Sequence, residues 1–351
     1  MSTNESSRLA HVDTLRLMAA GLVVFQHLAE RHTGPLVKPL VALGPGVMGV
    51  VLFFLISGYV IPFSVRRGLD LRGFMIRRLC RIYPLFLAAL AIVAATGWSG
   101  LLANFSDLRA ASPLQCIANL LLVQDFFGVP AILDVSWTLI IELIWYGLFA
   151  VTLLLFREKA ATLLAIAVPL GLVALGLLSL ALDTRIPLAR PAMIYAAVLG
   201  YQAYCYRSGL LSSRQMGVAV AMFVAVTWLT NFIAFGVFAH PHITLAQAVG
   251  PWSVAPALFL LVVLVPGIRD ARVLDSGMLP TIGAVSYSIY LLHPIANAAA
   301  DQYVPDSLMV PVALGLTFVL ALAGYHWIER PGIALGRRLA APRPRLTMAR
   351  S

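Results

Sequence analysis

The sequence predicts an all-α, polytopic membrane protein of about ten transmembrane helices with both termini cytoplasmic. Three observations carry that expectation. Of 351 residues, 60% are hydrophobic and only 11% charged, with a mean hydropathy of +0.90, and a water-soluble domain has no place for so much apolar surface. Apolar stretches of the roughly 20 residues that a bilayer core requires recur along the whole chain. Basic residues collect in alternate connections between them.

In order, the spans fall at 14–30, 46–65, 79–98, 136–156, 160–182, 188–206, 215–238, 245–266, 281–299 and 308–327. The first follows a short polar lead, Met1 to Ser7, and Arg16 interrupts what would be a cleavable signal core, so the span is expected to be retained. The second holds Gly46, Gly49, Ser57 and Gly58, small residues that let helices approach closely. A basic segment opens the third. The longest connection, Ser99 to Val135, contains a moderately apolar piece, Pro113 to Phe127, expected to lie along the interface or re-enter the membrane. The tenth span ends on His326-Trp327-Ile-Glu329-Arg330-Pro331, an interfacial aromatic beside a charge pair. Beyond it, the tail after Pro331, with Arg-Pro alternation at Pro342 to Arg345, reads as a disordered basic end. This gives a transmembrane domain over 1–332 and a basic cytoplasmic tail over 333–351. No internal repeat stands out.

With the N-terminus inside, nineteen lysines and arginines fall on the cytoplasmic side and five on the other, as the positive-inside rule requires. That distribution accounts for most of the net charge of +10 without a nucleic-acid partner; membrane lipid is the expected surrounding. Cys80, Cys116 and Cys205 are odd in number and lie in different spans or loops, which argues against a disulfide framework. His240 and His242 flank Pro241 in a loop with no third ligand in view, so no metal site is expected.

Four constellations carry chemistry. Arg16 and His27 are eleven residues apart in the first span, which places them about 20° from a whole number of helical turns and roughly 16 Å apart along one face. Ionisable groups at membrane depth mark a functional pair by default, the alternative being that each snorkels to its own interface. In Arg72-Gly-Phe-Met-Ile-Arg77-Arg78-Leu-Cys-Arg81-Ile-Tyr83-Pro84, Arg77 and Arg81 share a face with Arg78 beside them. Two planar guanidiniums there can clamp a polyphosphate, and they equally serve as topology anchors. Glu142, six residues into Ser136-Trp137-Thr-Leu-Ile-Ile-Glu142, needs a partner at that depth. It either holds His27 as a general base or bonds a nearby Trp or Tyr. Ser286, Tyr290 and His293 form a polar stripe on the ninth span that glues helices or lines a cavity, with Ser136 and Trp137 as further candidate lining. Ser57 has no visible base beside it and is not expected to be a nucleophile.

Together these residues resemble the acyltransferase 3 family of multi-span membrane acyltransferases. The likeness rests on Asp13-Thr-Leu-Arg16 followed by His27, the Phe53-Phe54-Leu-Ile-Ser57-Gly58-Tyr59 run, the Arg77 to Pro84 segment, Trp137 to Tyr146, Ser286 to His293 and the Glu329-Arg330-Pro331 ending, in the family's order. Val12 before Asp13 and Cys80 beside Arg81 are mild departures. The resemblance implies about ten helices with cytoplasmic ends in the bacterial inner membrane, essential Arg16 and His27, and acyl-CoA, acetyl-CoA in the simplest case, as co-substrate. No tightly bound cofactor is implied. The acceptor is expected to be a hydroxyl of a surface polysaccharide, lipopolysaccharide or related glycolipid. Some relatives append a soluble esterase-like domain; none is expected here, so such a step would fall to a separate periplasmic enzyme.

The expected machinery is therefore His27, Glu142 and Arg16 at the reacting centre, with Arg77, Arg78, Arg81 and Arg16 holding acyl-CoA. Two rivals stand beside it. One is a transporter or flippase for a lipid-linked or hydrophobic substrate, using Arg16, Glu142 and His293 as a path. The other is an acyltransferase for a macrolide-like small molecule.

Overall fold

The structure, a computed structural model, describes residues 9–31, 37–66, 68–238, 243–271, 274 and 278–341. The expected histidine loop (His240, His242) and the Arg-Pro alternation at Pro342 to Arg345 lie outside the described residues. Every element of two or more residues among those described is helical, and seven helical stretches are long and apolar enough to cross a membrane.

Helix α1 is Ala10–Arg31, with Asp13 in the first turn where the helix dipole favours a carboxylate. Helix α2 is Pro45–Val60, opened by a proline at its first position after Gly44 at φ +65°. Helix α3 is Leu71–Ser99, stopped by Gly100 at φ +78°. Its 29 residues rise about 44 Å, more than a bilayer core needs, so the basic segment forms its first turns.

The connection that follows folds into short helical turns. One is α4, Pro113–Leu120, whose Ser112 cap accepts the Gln115 N–H. Leu114, Ile117, Leu120, Phe126 and Phe127 are exposed, and such an apolar surface fits the interface better than water.

Helices α5 (Trp137–Phe156) and α6 (Ala160–Ala181) are parted by a turn at Arg157–Lys159 and together make one of the seven apolar stretches. Helices α7 (Ala189–Arg207), α8 (Ser213–Asn231) and α9 (Leu245–Leu264) follow, the last two opened by Ser212/Gln215 and Thr244/Gln247 capping boxes. Short α10 (Met278–Gly283) leads into α11 (Ser286–Tyr303), then α12 (Asp306–Gly324), a π-turn at Tyr325–Glu329, and α13 (Arg330–Leu339).

Helix α2 is apolar all round and central, because α1 and α7 close on it through glycines. A Cβ on Gly58 would fall 1.8 Å from the Ala197 carbonyl oxygen, and one on Gly200 would fall 2.0 Å from that of Leu55. Only hydrogen fits at either crossing, as small-residue helix packing requires.

Helices α1 and α11 run parallel. Gly283 packs on the Asp13 backbone at one end, and His27 meets His293 further along. One boundary needs correcting. The disordered tail expected from 333 is helical through Leu339, because Gly332 and Gly336 press against Cys80 and the neighbouring backbone of α3.

Candidate functional site

Two cavities lie along the α1–α11 seam. The first, of about 820 Å³, is lined by Arg16 from α1, Phe53 and Ser57 from α2, Arg78 and Arg81 from α3, Thr138, Glu142 and Tyr146 from α5, and Ser286, Tyr287 and Tyr290 from α11. The second, of about 1110 Å³, is lined by His27, Glu30, Asn104, Phe105, Asp134, Val135, His293, Pro294, Asn297 and Ala298. Arg16 and His27 thus share a helix face, as their spacing predicts, yet each opens on its own cavity.

The arginine cavity is held by carboxylates. Arg16 Nη1 donates to Asp13 Oδ1 at 2.8 Å, one turn away. Arg78 Nη2 donates to Ser64 Oγ at 2.9 Å, and its guanidinium lies 5.3 Å and 5.4 Å from the ring centres of Phe74 and Tyr146, within cation–π range. Arg81 sits in the fields of Glu329 and Glu142. Asp13 and Glu329 are outside the lining, so three guanidiniums and one carboxylate, Glu142, face the space among the described residues. Such an array suits a polyanion.

Glu142 accepts the Tyr146 hydroxyl, one turn on along α5. The expected pairing of Glu142 with His27 is therefore replaced: the carboxylate belongs to the arginine cavity, and the histidine faces the other. Arg77 is likewise absent from the lining. The rows along α3 explain this, since Arg78 and Arg81 flank the direction that looks inward and Arg77 stands about 100° round from Arg78.

At the second cavity, His27 Nδ1 and His293 Nε2 are 2.7 Å apart. The rings are nearly coplanar, 13° between planes with centroids 5.0 Å apart, the geometry of two imidazoles joined edge to edge through one hydrogen bond. His293 Nδ1 lies 2.7 Å from the Tyr290 carbonyl oxygen. A carbonyl only accepts, so Nδ1 of His293 carries the proton and its Nε2 accepts. His27 then donates from Nδ1, which leaves Nε2 as its basic nitrogen. The backbone of α11 thereby sets the tautomers of both rings.

A polar partition divides the cavities. The Thr138 and Tyr290 hydroxyls are 2.8 Å apart, and both reach the Val135 carbonyl oxygen, at 2.9 and 3.2 Å. Phe53 packs edge-on against Tyr290, centroids 5.6 Å apart.

Of the other expected lining residues, Ser286 and Tyr290 face the arginine cavity. Ser136 does not: it is buried and takes a 2.9 Å hydrogen bond from Gln124 Nε2, anchoring the connection ahead of α5. Nor does Trp137, whose ring lies under the Arg190 guanidinium at 5.7 Å.

Tyr146, at the i+4 position from Glu142, is the nearby Tyr that the sequence offers as the alternative partner of that carboxylate. Two features escape a reading of the sequence. Ser288 Oγ donates to Glu329 Oε2 at 2.6 Å across 41 residues, a contact that the π-turn of 325–329 delivers and no local pattern announces. Asn297 extends the Ser286–Tyr290–His293 stripe by one turn.

Comparison with known proteins identifies several relatives. The exopolysaccharide production protein ExoZ of Rhizobium meliloti (strain 1021) is 28% identical over 83% of this chain and 91% of its own length. A putative O-acetyltransferase of Staphylococcus aureus (strain COL) is 24% identical over 91% of this chain and 56% of its own. O-acetyltransferase OatA of Staphylococcus aureus (strain NCTC 8325 / PS 47) is 25% identical over 92% and 57%. The chain thus spans little more than half the length of the staphylococcal relatives. No solved structure matches it. The acyltransferase domain model of the acyltransferase 3 family matches residues 9–326, and the chain belongs to that family of acyltransferases.

Proposed function

We propose that the protein is a membrane O-acyltransferase that moves an acyl group, acetyl in the simplest case, from acyl-CoA to a hydroxyl of a surface polysaccharide, lipopolysaccharide or related glycan. Family membership supports the reaction class, and the names of the exopolysaccharide and O-acetyltransferase relatives support the acceptor class. The observation that carries the mechanism is the proton chain from the Tyr290 carbonyl through His293 to His27. It presents His27 Nε2 as a general base in a cavity of its own.

In this reading the arginine cavity takes the donor, with Arg78, Arg81 and Arg16 toward the phosphates and pantetheine arm. Glu142 and Tyr146 hold the guanidiniums rather than the histidine. The thioester reaches His27 when the Thr138–Tyr290 partition lets go. The acceptor oxygen then bonds to the thioester carbonyl carbon, and His27 takes the hydroxyl proton. The carbon–sulfur bond breaks, and that proton leaves on the CoA thiol.

Topology fits a donor from the cytoplasm. In this reading α5 and α6 cross separately, and α7 and α11 cross in addition to the seven apolar stretches, for ten spans. Both termini and the arginine mouth then lie inside, a reading that the positive-inside bias supports, and the membrane of this proposal is the bacterial inner membrane. The test is purified protein in nanodiscs, with CoA binding by calorimetry and transfer of labelled acetyl to saccharide hydroxyls. Micromolar CoA binding with transfer is expected; absence of CoA binding would overturn the reading in favour of transport.

A further inference from the structure

We propose that the histidine cavity selects an uncharged, hydroxyl-rich acceptor, and that Asn297 binds a hydroxyl next to the one that His27 deprotonates. This rests on the acyl-transfer reading above and names the acceptor chemistry of the same site.

Asn297 lies one turn beyond His293 on α11, so the two side chains share a face. It is eleven residues from Ser286, the interval that separates Arg16 from His27 on parallel α1. Each of these helices therefore presents polar groups to both cavities. Asn297 lines the histidine cavity and is 3% exposed, yet its Oδ1 has no hydrogen-bond partner. A buried amide oxygen left without a donor keeps its desolvation cost uncompensated. A ligand hydroxyl relieves that cost, because it can donate to the amide oxygen or accept from the amide nitrogen.

The rest of the lining defines the charge of the ligand. Glu30 and Asp134 contribute carboxylates, and no arginine or lysine lines the cavity among the described residues. Carboxylates accept hydrogen bonds from hydroxyls and repel anions. Phe105 adds an apolar face of the kind on which the C–H side of a sugar ring packs. The contrast with the arginine cavity assigns polyanion and polyol to opposite ends of one seam. The group transfer is balanced as before: acceptor oxygen to acyl carbon, hydroxyl proton to His27 and on to the departing thiol.

The test uses the full chain in nanodiscs with acetyl-CoA and two matched panels: neutral hexose and deoxyhexose oligosaccharides, and the corresponding uronic-acid oligosaccharides. The wild type is expected to acetylate neutral acceptors and to use the uronic acids at least about tenfold less well. Asn297→Leu is expected to raise KM for the neutral acceptor about tenfold while CoA affinity, set in the arginine cavity, stays within about twofold. Asn297→Asp, which keeps an oxygen acceptor, is expected to recover much of the KM for neutral sugars and worsen that for uronic acids; it also serves if the leucine variant fails to fold. An unchanged acceptor KM in these variants, or equal use of both panels, would overturn the assignment while leaving acyl transfer intact. Wild-type protein that binds CoA yet acetylates nothing would overturn both.

Discussion

His27 on α1 and His293 on α11 are joined by a 2.7 Å hydrogen bond whose direction is set by the Tyr290 carbonyl behind His293. The bond crosses 266 positions of sequence and turns two buried or half-buried rings into one proton relay. Each remaining part of the site can be tested against that relay by asking which cavity it serves.

The guanidiniums should separate by face. Arg78→Ala and Arg81→Ala are each expected to weaken CoA binding by about tenfold to a hundredfold, the range for a lost hydrogen bond to a charged group. Arg77→Ala, outside the lining, should change it by less than about threefold. Calorimetry on the three variants decides the matter; equal losses would point to diffuse surface charge instead of a site.

The partition should control leakage. Thr138→Val and Tyr290→Phe each remove a hydroxyl from the Thr138–Tyr290–Val135 cluster. Tyr290→Phe keeps the backbone carbonyl that orients His293. Both variants are therefore expected to retain transfer and to raise acetyl-CoA hydrolysis without acceptor severalfold, read by thiol release. Unchanged hydrolysis would mean that the cavities connect by another route.

Helix packing gives a stability prediction. Gly58→Ala and Gly200→Ala would drive a methyl into the backbone of the facing helix, a form of overpacking that costs about 1–3 kcal/mol or more. A lower melting temperature in detergent is expected for both. Gly171→Ala, with nothing within 4 Å of its Cβ, should match the wild type.

How much of this was legible depended on the range of the signal. Apolar length announced the helices, and the eleven-residue interval correctly placed Arg16 and His27 on one face, because both are properties of a single helix. The i, i+4 rule found the basic face of α3 but could not say which edge looks inward, so it took Arg77 with Arg81 and Arg78, of which only Arg78 and Arg81 line the cavity. It also offered Tyr146 to Glu142, a nearer partner than His27. The His27–His293 and Ser288–Glu329 contacts join distant segments, and no periodicity within either helix encodes them.

The most direct measurement is acetyl transfer by His27→Ala and His293→Ala protein in nanodiscs, with CoA affinity determined on the same samples. His27→Ala is expected to lose transfer by on the order of 10²–10⁴, the usual worth of a general base, and His293→Ala by about tenfold to a hundredfold through loss of the tautomer lock. CoA affinity should stay within about twofold in both, since neither ring lines the arginine cavity. Transfer at the wild-type rate by His27→Ala would contradict the relay outright.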